Sequence, residues 1–249
     1  MKDEAMFDLL NPEGSSPFVL TCEHASCVVP SEYQNLGITD EALSRHIGWD
    51  IGARWVVEAI SQLLDAPAVC SRYSRLLIDC NRDIHDHDLI VSESDGTTIT
   101  GNAKISEQER EKRLTQFYRP YHEAVDQLLQ KRSEKETVLL SIHSFTPTLG
   151  MKERAFDLGV LFDRYEDLAQ EVGQRLHHKT YRVRYNEPYS GLDGLIFSAR
   201  SHGERHGLLY LELEINNGMI AKENYARRVG QILGETLRPL FSTAKNKKS

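Results

Sequence analysis

Short apolar runs alternate along this chain with longer stretches whose apolar positions recur every three or four residues. FVLTC (18–22) follows Gly-Ser-Ser-Pro and reads as a strand with a turn before it. From Thr39 to Leu64 the apolar positions Leu43, Ile47, Ile51, Val56, Ile60 and Leu63 keep helical spacing. Thr39 or Asp40 suits the cap, so one long helix is expected there. PAVCS (67–71) and RLLIDC (75–80) both predict strands, and the polar segment from Asn81 to Gly101 predicts a long loop of the kind that is usually functional. Ser106-Glu107-Gln108-Glu109 is a capping box opening a helix to about Lys131. TVLLSI (137–142) is the most apolar run and should be a central strand. DLGVLF (157–162), the alternating TYRVRY (180–185) and GLLYLELEI (207–215) complete the strands, while Tyr165 to His177 and Glu223 to Leu237 read as helices. Strands alternating with helices imply an α/β, three-layer αβα architecture around a mixed, largely parallel sheet. No internal repeat or linker divides residues 1–249, so a single domain is expected, with 1–16 and 243–249 as peripheral tails.

Composition sharpens this only slightly. With 40% hydrophobic and 27% charged residues the 249-residue chain can build a full core. A net charge of −7 argues against broad nucleic-acid binding, which needs a basic surface. There is no apolar stretch near the roughly 20 residues of a membrane span and no signal-peptide pattern, and the four cysteines lack metal-knuckle spacing. The sequence therefore predicts a cytoplasmic protein without a membrane or nucleic-acid partner. It gives no indication of oligomeric state.

The chemistry concentrates where apolar strands end. His24 follows FVLTC-Glu23, and His143 follows TVLLSI. Ligands of open α/β sheets bind beyond the carboxyl ends of the strands, so two histidines delivered there can share one metal ion. RLLIDC runs into Asn81-Arg82: an arginine fork and an amide suit a carboxylate, and Asp79 can orient a metal-bound histidine from behind. Glu212 and Glu214, two apart on one face of an apolar strand, need a partner if buried, and a glutamate there suits a general base. Tyr189, in the turn Asn186–Gly191, is placed to donate to a substrate oxygen. Cys27, near His24, offers a thiol nucleophile as an alternative.

Taken together, T-C-E-H-A-S (21–26), H-I-G-W-D-I-G-A (46–53), I-D-C-N-R (78–82), S-I-H-S-F (141–145), N-E-P-Y-S-G (186–191) and E-L-E-I-N (212–216) make the chain resemble the N-formylglutamate amidohydrolase family. The resemblance spans about Phe18 to Ile215 and is closest to a branch carrying C-E-H-A-S. It implies a fold similar to zinc carboxypeptidases and aspartoacylases, in which a metal held by two histidines and a carboxylate activates water. Carried onto this chain, it implies His24 and His143 as zinc ligands, Glu214 as base, Asn81-Arg82 as the clamp for an acidic small-molecule substrate, and Asp79 as the orienting carboxylate. The wider group carries its third ligand three residues after the first histidine, where this chain has Cys27. Glu23 is taken as the third ligand, with Asp50 the other candidate and otherwise a supporting carboxylate. The implied reaction is hydrolysis of a small N-acyl, for instance N-formyl, amino acid. The competing expectation is a non-catalytic carboxylate- or metal-binding protein on the same fold.

Overall fold

In a computed structural model of the chain, residues 6–132 and 137–242 are described. Seven strands form one sheet: β1 (Phe7–Leu10), β2 (Phe18–Cys22), β3 (Ala68–Ser71), β4 (Val138–Phe145), β5 (Leu158–Leu161), β6 (Val183–Tyr185) and β7 (Leu209–Asn216). Their order is β1-β3-β2-β4-β7-β5-β6. β3, β2, β4 and β7 run parallel, while β1 and the β5–β6 pair run against them. The mixed, largely parallel sheet is the expected one, and TVLLSI lies in its middle as β4.

Helices cover both faces. α1 (Ala53–Leu64), α4 (Glu166–His177) and α6 (Glu223–Leu237) pack on one side, against Phe18, Leu20, Leu140, Ile142, Leu211 and Leu213. α2 (Glu107–Arg113), a π-helical turn (Leu114–Tyr118) and α3 (Arg119–Gln130) cover the other with α5 (Phe197–His206), over Val19, Leu139 and Tyr210. Each fully buried Val, Leu or Ile contributes about 1.5–3 kcal/mol, so both layers are strongly held. Among the described residues no helix is long and apolar enough to cross a membrane.

Three expectations change. The long helix from Thr39 divides into a short turn, Asp40–Ser44, capped by the Thr39 hydroxyl, and α1, which begins only at Ala53. Gly52 causes the break: it sits at φ +86, and a Cβ there would lie 2.1 Å from the Ile220 carbonyl oxygen. The interruption frees Asp50, whose N–H donates to the His24 carbonyl at 2.9 Å. RLLIDC is buried but forms no strand. Its carbonyls are met by side chains instead: Asn102 donates to Leu76 O at 2.8 Å, and the buried guanidinium of Arg113 donates to Leu77 O at 3.0 Å and Asn102 Oδ1 at 2.7 Å. Side-chain donors let an irregular segment be buried without orphaned backbone. The N-terminal segment expected as a tail contributes edge strand β1 through Phe7–Leu10; residues 243–249 lie outside the described part. α5 was not anticipated, because its hydrophobic pattern is weak and its sequence polar.

Candidate active site

Side chains alternate across a sheet, and on the three central strands one face turns polar toward the carboxyl ends. On the α3–α5 side the order is Val19 then Thr21 on β2, Leu139 then Ser141 and His143 on β4, and Tyr210 then Glu212 and Glu214 on β7. Register places Glu212 opposite Ser141 and Glu214 opposite His143. The pattern that builds the core thus also delivers the polar residues to one spot. β7 meets β5 with Glu214 opposite Gly159. A Cβ on Gly159 would stand 2.1 Å from the Glu187 carbonyl oxygen, so glycine alone lets the 186–191 turn cross the sheet and bring Tyr189 to the site.

His24 and His143 converge, their rings 4.8 Å apart at 76°. Asp50 lies between their Nδ1 atoms, with its Oδ2 2.8 Å from His143 and 3.5 Å from His24. The outer nitrogens meet other carboxylates: His24 Nε2 is 2.6 Å from Asp79 Oδ1, and His143 Nε2 is 3.0 Å from Glu23 Oε2. His143 therefore faces a carboxylate at each nitrogen. Burial opposes its charge, but Glu212, Asp50 and Glu23 outweigh it and raise the imidazole well above its ordinary range. His24 differs. Its Nε2 meets Asp79, and among the described residues its buried Nδ1 has no hydrogen-bond partner.

Glu23, expected as the third ligand, meets the Nε2 side of His143. Its carboxylate is fully buried under the sheet face, accepting from Ser198 Oγ at 2.7 Å, Ser141 Oγ at 2.7 Å and Tyr121 Oη at 3.1 Å as well as from His143. Burial alone would raise this carboxyl, but these bonds hold it far below the usual carboxylate range. Asp79 is lowered in the same way, against burial, by His24 and the nearby arginines. The two strand glutamates go the other way. Burial pushes Glu212 up to about 7, and burial with the Asp50 charge raises Glu214 well above its usual value. Among the described residues Glu214 Oε2 has no hydrogen-bond partner.

Asn81 is buried, not open to a ligand: its Oδ1 accepts from Ser198 N at 2.9 Å and its Nδ2 donates to Glu212 Oε2 at 3.4 Å. Arg82 is partly buried and donates to Asn81 O at 2.9 Å. Tyr189 stands at the edge, 5.7 Å from the Arg154 guanidinium and close enough to Glu214, Asp50 and Arg75 to feel their charges. The Cys27 thiol is raised by burial, which disfavours the nucleophilic thiolate.

Several site residues escaped the sequence. Arg75 pairs with Asp50, and its Nε is buried without a partner. A charged residue heading a buried apolar run was the available signal. His46, four residues before Asp50, puts its Nδ1 3.6 Å from Asp50 Oδ1, and burial lowers it to about 4. Ser141 falls in the S-I-H-S-F motif without being singled out there, and Ser198 and Tyr121 carry no sequence signature.

These residues fit a divalent cation. Five carboxyl groups, Glu23, Asp50, Asp79, Glu212 and Glu214, are buried around Arg75 and two imidazoles. Like charges in such a place need a compensating cation. One ligand atom each from His24, Asp50 and His143 lie within 4.8 Å of one another, as do those of His143, Glu212 and Glu214.

The chain matches the model of the N-formylglutamate amidohydrolase family over residues 16–221. Among solved structures it is similar to a gene product of Agrobacterium tumefaciens, at 31% identity and a TM-score of 0.92 over 98% of this chain and 97% of the other. It shares its fold with N-formylglutamate amidohydrolase from Ralstonia eutropha JMP134, at 20% identity and a TM-score of 0.73 over 95% and 99% of the two chains. No match was found among curated proteins. The chain belongs to the N-formylglutamate amidohydrolase family.

Proposed function

We propose that this protein hydrolyses the amide of a small N-acylated, carboxylate-bearing substrate, N-formyl amino acids being the simplest, with a divalent cation, zinc by choice of ligands, held by His24, Asp50 and His143. The observation that carries the reading is the buried His24 Nδ1, without a hydrogen-bond partner among the described residues, 3.5 Å from Asp50 Oδ2 and surrounded by buried carboxyl groups. In this reading Asp50 takes the place expected for Glu23. Glu23 and Asp79 act as the carboxylates behind His143 and His24, which fix ring orientation and raise ligand basicity. When bound, the cation supplies a Lewis acid that polarises the acyl carbonyl and makes water more acidic.

The rest falls to the chain. Glu214, with one oxygen unpartnered, accepts a proton from the attacking water and passes it to the leaving nitrogen as the C–N bond breaks. Burial, which lifts its pKa, suits it to both halves of that transfer. Arg82 and the free Nε of Arg75 are the available donors for the substrate carboxylate, and the Tyr189 hydroxyl is a third donor at the edge.

The test is metal content by mass spectrometry of wild type, His24→Ala, His143→Ala, Asp50→Ala and Glu23→Gln, alongside hydrolysis of N-formyl and N-acetyl acidic amino acids. The expectation is near one zinc per chain in wild type, none in the His24, His143 and Asp50 variants, and binding weakened about 10–100-fold in Glu23→Gln. Wild type that takes up no metal when zinc is offered, or hydrolysis that survives chelation, refutes the reading.

A further inference from the structure

A second cluster of titratable groups lies outside this centre, in the seam between α3 and α5. His122 Nδ1 is 2.8 Å from His202 Nε2, and His202 Nδ1 is 2.8 Å from Asp126 Oδ1. His206 Nε2 reaches the same Asp126 oxygen at 2.9 Å, and Arg205 pairs with its other oxygen. Asp126 accepts from His202 Nδ1, and His202 Nε2 and His122 Nδ1 share the next hydrogen bond of the chain. Burial, with the nearby His202, holds His122 far down, to about 3. Tyr118, 4.2 Å from the His122 ring, and Phe197, at 6.2 Å, enclose the seam.

These residues stand apart from the groups assigned to the proposed hydrolysis, yet each helix also sends one hydroxyl to the centre. α3 carries Tyr121 immediately before His122. α5 carries Ser198 one turn before His202. Both hydroxyls donate to the same oxygen, Oε1 of Glu23, at 3.1 and 2.7 Å. Two donors from two helices meet one atom only if the helices keep one register. Helix packing through Leu, Val and Ala tolerates small sliding, whereas a chain of ring hydrogen bonds fixes both distance and direction.

We propose that the His122–His202–Asp126 chain positions Glu23: it locks α3 to α5 so that Tyr121 and Ser198 converge on one carboxylate oxygen, and through Glu23 it sets the orientation of His143. This rests on the hydrolase reading only for what His143 serves; the coupling itself is a property of the metal-free protein. His202 is therefore a positioning residue.

The test compares wild type with Ser198→Ala, His202→Leu, His202→Gln and the Ser198→Ala/His202→Leu double variant. The first readout is the ring nitrogen resonances of His143 in metal-free protein, from long-range proton–nitrogen correlation spectra. His202→Leu should shift His143 Nε2 in the same sense as Ser198→Ala does, and His202→Gln, whose amide can both donate and accept, should restore it. The second is kcat, expected to fall about tenfold in each single variant with KM little changed, and to fall no further in the double variant. Unmoved His143 resonances in folded His202→Leu, or additive losses of about 100-fold in kcat, overturn the proposal. If His202→Leu does not fold, Asp126→Asn, which keeps both rings, takes its place under the same criteria. If wild type hydrolyses no amide, the hydrolase reading fails while the spectra still decide this one.

Discussion

Replacing Glu212 by glutamine should make the metal-free protein more stable, and only at neutral to alkaline pH. Burial lifts the Glu212 carboxyl to about 7 in the folded chain, against an ordinary value of 4.5. Between those values the native state holds a proton that the unfolded chain has released. The unfolded state therefore gains on the native one as pH rises through this window, and the loss levels off above 7. A shift of 2.5 pKa units at about 1.4 kcal/mol each makes the ionised form cost about 3 kcal/mol by pH 8. Glutamine keeps the shape, and its amide oxygen can still accept from Asn81 Nδ2, so the variant should gain most of that, roughly 6–12 °C in Tm for a chain of this size. At pH 4.5 the two proteins should be nearly alike. The assay is urea unfolding of chelator-treated protein at both pH values, repeated with saturating zinc, where the advantage should vanish because a bound dication stabilises the carboxylate. Equal stability of Glu212→Gln and wild type at pH 8 without metal would refute the argument that the site holds a surplus of buried negative charge.

His122, held near 3 by burial, gives the opposite pH dependence. The unfolded imidazole takes up a proton below about 6.5, so stability falls with acidification, by about 2 kcal/mol at pH 5; urea midpoints of wild type and His122→Gln at pH 7.5 and 5 should show the variant losing less. Gly159→Ala should displace the 186–191 turn, because its Cβ would stand 2.1 Å from Glu187 O, and cost about 1–3 kcal/mol with loss of activity; unchanged Tm and turnover would contradict the close approach. Arg82→Ala should raise KM for acidic substrates more than it lowers kcat, whereas Arg75→Ala, which strips Asp50 of its partner, should depress kcat and metal content together; the same kinetic pattern in both would remove the distinction.

Much of the architecture was legible because period and burial agree. β2, β4 and β7 each read as apolar runs, and each lies in the middle of the sheet. RLLIDC misled because its apolar residues are buried by a different route: Arg113 and Asn102 satisfy the carbonyls that a neighbouring strand would otherwise have met. These partners are remote in sequence, and spacing says nothing about them. The Thr39–Leu64 periodicity was likewise real, since Leu43, Ile47, Val56 and Ile60 are all buried, but it continues across a break that Gly48 and Gly52 allow. In the site, His24, His143, Asp79 and Glu214 were visible as polar residues at the ends of apolar runs. Arg75 and the hydroxyls on Glu23 were not, because they reach the site from the edge of a buried loop and from two helices whose placement depends on tertiary packing.

In the proposed site Glu23 and Asp50 exchange the expected roles, and the local geometry supports this. Glu23 and His24 lie in the turn directly after β2, and both are buried. His24 is turned toward Asp79, whereas Glu23 is turned toward α3 and α5. There Ser141, Ser198, Tyr121 and His143 surround it. A carboxylate that already accepts from four groups has little capacity left for a cation. In the proposed reading the ligand on the His24 side comes from the interrupted helix instead. The backbone of Asp50 is tied to the His24 carbonyl, and one carboxylate oxygen accepts from Ser144 N at 3.2 Å, which aims the group between the two Nδ1 atoms. The break between Ser44 and Ala53 thus leaves Asp50 in an irregular segment tied to His24 and Ser144, from which it serves as the carboxylate ligand in the proposed site.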